Sequence, residues 1–347
     1  MKRMLLILVL MLTLAAPVMA QPSADLSAIK IYLLETLAVL QEESGRLRAA
    51  AQAYYDLANE AGFDYETLWA NRRAETTETL LKAKDAWMAA SPLYEQVEGI
   101  VAGVPVLSEF DVILDAGASG ADDPENGVPF DLNLPDGRVL ERPGNLFGVL
   151  ESTLWGTRAD YSSGIWGDLN RNGGQDFGEL LPDANVLLSA ADSMNRYTTD
   201  LAAAANEWTP TVEDAFTALV VMVPTMSEYF GSWRDSRFVS GEASTQVDFV
   251  VISRLADIED ILGGLQVIYD NVSPLVEGVD AAQHAQIQQG LTGLREYVAD
   301  LYSREQAGYR FTPEEADLFG SEAQERAQAI TGQIAQIAAL LNVSLPE

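Results

Sequence analysis

Apolar side chains recur every three or four residues over long stretches at both ends of the chain. Leu26, Ile29, Leu33, Leu37 and Leu40 step by 3, 4, 4 and 3, and Ala327, Ile330, Ile334, Ile337 and Leu341 step by 3, 4, 3 and 4. Near 3.6 residues per turn, each set makes one stripe down the face of a helix. A third stripe, Val251, Leu255, Ile258, Leu262 and Leu265, has the same spacing. Thr312-Pro313-Glu314-Glu315 reads as a helix start. Its hydroxyl caps, its proline takes the first position where no N–H is needed, and Glu315 reaches back to the cap. No run of alternating β-branched residues is long enough to argue for a sheet. The pattern predicts an all-α protein of helical bundles.

The stripes stop between Pro105 and Asp183, a segment with six of the 14 prolines and twelve of the 26 glycines. Such a segment is expected to be mostly loop. Phe130, Leu146, Phe147, Leu154, Trp155 and Trp166 within it provide apolar surface that favours order. The expected organisation is therefore two helical halves, 21–104 and 184–347, joined by an ordered connection over 105–183. Trp69, Trp166, Trp208 and Trp233 are expected as core or loop anchors, and His284, in a polar helical stretch, as a surface residue.

Composition narrows the chemistry. The 347 residues are 48% apolar, enough for a substantial core, and include no Cys and one His. Disulfides, thiolate sites and multi-histidine zinc sites are excluded, and any histidine-based triad would depend on His284. With 52 acidic and 21 basic side chains the net charge is −31, which repels nucleic acid and anionic membrane surfaces and makes cations the natural small partners. At the N-terminus, Lys2 and Arg3 precede an apolar run from Met4 to Leu14 and then small residues ending at Ala20. Residues 1–20 read as a secretory signal peptide. The mature chain is expected to be extracytoplasmic, secreted or periplasmic, with no membrane insertion.

From Asp85 to Asp136 the chain carries eleven acidic residues and no Lys, Arg or His. Within this run Glu95 and Glu98 are three apart and Asp111 and Asp115 four apart, so each pair shares a helix face. Carboxylates so placed repel one another unless they are solvated or bridged by a cation or proton. Farther on, Glu151 sits among Phe147, Leu150, Leu154 and Trp155, where a carboxylate needs a partner.

These segments together resemble the imelysin-like family, most closely its EfeO-type branch of iron-uptake proteins. The resemblance rests on Trp87, Tyr94, Glu95 and Glu98; on Phe110, Asp111, Leu114 and Asp115; on Phe147, Leu150, Glu151, Leu154 and Trp155; and on Gly241-Glu242 with Ala256-Asp257-Ile258-Glu259. It ends with Gly308-Tyr309 and residues 312–318, and so spans nearly the whole mature chain. Two histidines usual in the family are replaced, by Gly148 and by Asp248 in Gln246-Val247-Asp248. The resemblance implies a metal site without imidazole, built from Glu98, Asp111, Glu151 and Asp248 around a cleft between the halves, with Glu95 and Asp115 in support. Such an oxygen set suits a hard cation such as ferric iron, calcium or magnesium.

A second pattern lies in the connection. Asp168, Asn170, Asn172, Gly174, Asp176 and Glu179 fall at positions 1, 3, 5, 7, 9 and 12 of a twelve-residue calcium loop, with Gly173 at the sharp-turn position. It predicts a calcium site independent of the cleft.

The expected function is a non-enzymatic cation-binding accessory of iron uptake, with metal ions and a membrane iron transporter as partners. An alternative is an imelysin-like interaction or polysaccharide-binding module whose metal site is dead and which keeps a structural calcium. Metallopeptidase activity is the enzymatic rival, and it would want the imidazole ligands that are missing.

Overall fold

The computed structural model describes residues 24–346; the signal peptide expected over 1–20 lies outside the described residues. Two long helices, α1 (Ser27–Glu60) and α2 (Tyr65–Val101), form the first hairpin, and a short α3 (Ser108–Asp111) runs on into a π-helical turn, Val112–Ala116. The connection contributes α4 (Leu146–Trp155) and two small antiparallel ladders. In one, β1 (Leu132–Asn133) pairs Leu132 with Leu140 of β2 (Val139–Leu140). In the other, β3 (Ser162–Trp166) pairs Trp166 with Leu180 of β4 (Leu180–Pro182). Then follow α5 (Ala184–Glu207), α6 (Val212–Met222), α7 (Met226–Asp235), the short α8 (Arg237–Ser240), α9 (Arg254–Val279), α10 (Ala281–Gln306) and α11 (Pro313–Leu341). The class is all-α, as the periodicity predicts.

The stripes become the core. Leu33, Leu37, Leu40, Leu255, Ile258, Leu265 and Ile337 lose all solvent contact, and only Val251, which precedes α9, stays half-buried. At the start of α11 both bonds of the capping box form: Glu315 N–H donates to Thr312 Oγ1 at 3.2 Å and Thr312 N–H to Glu315 Oε2 at 2.9 Å. Helices on either side of the connection pack on one another, α5 along α1 and α9 along α2, so a single apolar cluster includes residues from both.

The α2–α9 seam sets where the acidic residues of α2 lie. A side chain at Gly264 would put its Cβ 2.3 Å from the carbonyl oxygen of Gln96, so only glycine permits this backbone approach. The approach brings the acidic stretch of α2 against the first turns of α9.

Candidate metal centre

On α2, Trp87, Ser91, Glu95 and Glu98 step by 4, 4 and 3 and so share one face, with Tyr94 beside them; the helix continues unbroken through Pro92. All five side chains are buried. Asp111 ends α3 and Asp115 lies in the π turn, whose widened ring is closed by Gly117 N–H donating to the carbonyl of Val112 at 3.0 Å. Local π geometry of this kind re-aims side chains and recurs at functional sites. From the other side, Ser253 caps α9, its hydroxyl accepting from Leu255 N–H at 3.3 Å, and Arg254 and Asp257 follow in the first turn.

Five carboxylates, those of Glu95, Glu98, Asp111, Asp115 and Asp257, are thus buried together with one guanidinium, that of Arg254. Oxygens of Glu95, Glu98 and Asp115 lie within 4.8 Å of one another. No other group of three metal-ligating side chains approaches so closely among the described residues. At that separation and an effective dielectric near 20, each ionised pair repels by roughly 3 kcal/mol or more. The partners present meet only part of this demand. Tyr229 OH donates to Glu98 Oε1 at 2.6 Å and Tyr94 OH to Asp111 Oδ1 at 2.8 Å. Arg254 Nη1 lies 2.8 Å from Asp257 Oδ2 and 3.8 Å from Glu95 Oε1, its guanidinium held between the rings of Tyr229 and Phe249. Glu95 Oε2, Glu98 Oε2 and Arg254 Nε are buried with no hydrogen-bond partner.

Burial, reinforced by neighbouring carboxylates, pushes Glu95 and Asp111 well above the usual range and Asp115 up to about 8. Burial also raises Asp257, to about 6, with Arg254 holding it back. Tyr94 and Tyr229 are driven upward by burial and by the same carboxylates, so both hydroxyls remain donors. The group therefore demands positive charge, which protons or a cation can supply.

Beside it opens a cavity of about 510 Å³, lined among others by Glu98, Asp111, Asp115, Asp248, Tyr229 and Arg254. Glu95 stands behind, on a narrow crevice shared with Asp115, Glu151 and Asp257. Of the six residues named from sequence, Glu95, Glu98 and Asp115 form the tight group, and Asp111 and Asp248 border the cavity. Glu151 is engaged elsewhere. It is 1% exposed, and its carboxylate accepts from three successive backbone N–H groups, Phe249, Val250 and Val251. Burial lifts its carboxyl to about 8, against the pull of those three donors.

Sequence reasoning passes over Tyr229 and Arg254 and reaches Asp257 only as part of a motif. A signal for the latter two is present. Arg254 and Asp257 are three apart and so share a face, and Arg254 lies one turn before Ile258 of the buried stripe. Tyr229 has no such mark.

The loop expected to hold calcium closes the β3–β4 hairpin, and Gly167 N–H donates to the carbonyl of Glu179 at 2.7 Å. Gly173 takes the left-handed φ of +81° required at the sharp turn. Glu179 is buried and accepts from Asn170 N–H and Asp176 N–H, each at 3.0 Å. The side-chain amides of Asn170 and Asn172 both donate to Asp176 Oδ2, and Gly174 N–H donates to Asn172 Oδ1 at 2.7 Å. Asp168 Oδ1 is buried and unpartnered. The loop's own donors thus occupy most of the oxygens a calcium ion would take. His284, expected on the surface, is half-buried, with Nδ1 3.0 Å from Tyr269 OH.

No curated protein matches the chain. A family model does match, over residues 33–343. Its description is imelysin, peptidase family M75, and with nearly the whole described chain covered, this protein belongs to the imelysin family.

Proposed function

We propose that this protein is a non-enzymatic, extracytoplasmic cation-binding protein that serves iron uptake, and that it receives a hard cation on Glu95, Glu98 and Asp115, with Asp111 and Asp248 at the mouth. The observation that carries this reading is the pair of buried, unpartnered oxygens, Glu95 Oε2 and Glu98 Oε2, inside a cluster with five acids and one base. A buried acceptor without a partner is costly, and a cation among carboxylates offsets that cost. An all-oxygen donor set matches ferric iron, magnesium or calcium rather than zinc. For hydrolysis the chain offers little: its only histidine is bonded to Tyr269, away from the cluster. A membrane iron transporter is the partner this role requires.

The test is elemental analysis of the full chain purified without chelators, followed by titration with ferric citrate and with zinc. About one iron per chain is expected, lost in Glu98→Gln and Asp115→Asn. Stoichiometric zinc with peptide hydrolysis would establish the peptidase reading instead, and calcium alone would leave an interaction module.

A second site, for calcium on residues 168–179, is supported by the buried unpartnered Asp168 Oδ1 and by the oxygen-bearing groups at all six ligand positions. Loading there requires Glu179 and Asp176 to exchange N–H donors for the ion, and its role is structural.

A further inference from the structure

Helix α4 holds the segment that follows α8 at three points. Thr157, just past its end, donates its hydroxyl to the carbonyl of Val247. Glu151 takes the N–H groups of residues 249–251, at 2.9 Å from Val250 and 3.0 Å from Val251. One turn earlier Gly148 leaves a gap: a Cβ there would stand 3.1 Å from Asp248 Oδ2. Gly148 and Glu151 are three apart and therefore share a face, the first making room and the second supplying the acceptor. Phe249 adopts a left-handed φ of +52°, which turns successive N–H groups into a concavity suited to an anion. The same segment delivers Asp248 to the cavity, and the Phe249 ring lies 3.8 Å from the Arg254 guanidinium. At its other end α4 is tied to the turn carrying Asp115, because Asn145 N–H donates to the carbonyl of Gly117 at 2.9 Å.

We propose that Glu151 is a positioning residue and not a cation ligand: with the gap at Gly148 it docks residues 247–251 on α4, and so fixes where Asp248, Phe249 and Arg254 stand in the cavity. Both carboxylate oxygens are already committed to backbone donors that have no other acceptor among the described residues. A ligand role would require Glu151 to abandon three backbone N–H groups, that of Val250 buried and those of Phe249 and Val251 partly so. The inference rests on the cation-binding reading only for the purpose of the cavity, since the docking exists without any ion.

Backbone hydrogen exchange on the full-length chain tests it. In metal-free protein, Glu151→Gln is expected to speed exchange at the amides of residues 249–251 at least tenfold, while the core of α9 around residues 258–265 is unchanged. Exchange at 249–251 equal to wild type overturns the proposal. Manganese(II) added to wild type is expected to leave those amides protected; acceleration on loading means Glu151 has swung to the ion, and also overturns it. A wild-type chain that takes up no manganese counts against the cation-binding reading alone, because the metal-free comparison still stands. Should Glu151→Gln not fold, Gly148→Val, which fills the gap and leaves the carboxylate intact, is read the same way: faster exchange at 249–251 supports the docking, and wild-type exchange refutes it.

Discussion

Arg254 brings a single positive charge into a group of five buried carboxylates, and its neighbours depend on it. Replacing it with Met keeps an unbranched stem, but removes the guanidinium held between Tyr229 and Phe249 and leaves Glu95 and Asp257 facing each other uncompensated. Removing one partner of a buried pair costs about 3–5 kcal/mol. Arg254→Met is expected to lose that much stability in metal-free protein by denaturant titration, and to recover part of it when the cation is supplied. A loss under about 1 kcal/mol would mean that protons already balance the cluster. The carboxylates were legible as candidates because acids three or four apart on a helix face repel one another unless solvated, protonated or bridged. Tyr229 was not, since nothing in its local sequence announces a carboxylate partner, and Arg254 showed only through its spacing to Asp257. The destination of Glu151 was hidden for a different reason: the backbone N–H groups it binds exist at every residue and leave no trace in composition.

Among the elements, the long helices were the easiest to read, because stripes and caps are local patterns repeated over many turns. The π turn was not readable. Its effect is to add one residue to a helical ring at Asp115, which no periodicity predicts over five residues. The β3–β4 hairpin was missed because its strands are short and its loop was recognised only as a candidate calcium site. That loop carries its own expectation. If it binds calcium, stability rises by RT ln(1 + [Ca]/Kd), about 1.4 kcal/mol at tenfold excess over Kd. Calcium titration of the melting temperature should show this gain in wild type, and the paired substitutions Asp168→Ala and Glu179→Ala should abolish it without affecting cation binding in the main cavity. A melting temperature indifferent to millimolar calcium would leave the segment an ordinary turn, held by the donors that now occupy Asp176 and Glu179.

At the scale of the whole molecule, the proline- and glycine-rich connection suggests a boundary, yet α5 and α9 beyond it lie directly on α1 and α2 before it. Sequence punctuation marks where the chain turns and says little about which surfaces then meet. The Gly264 contact with the Gln96 carbonyl has a kinetic consequence. It joins Glu95 on α2 to Asp257 on α9, which follows roughly 160 residues later, so closing it carries one of the larger loop entropies in the fold. The expectation is that this pairing closes after the barrier to folding has been crossed. A cation on Glu95, Glu98 and Asp115, beside that seam, is then expected to leave the rate of refolding unchanged and to slow the reverse step. Stopped-flow measurements with and without the cation should give coincident refolding limbs and a slower unfolding limb. A loaded molecule then persists longer without having formed any faster, and its lifetime records the cation supply it has met.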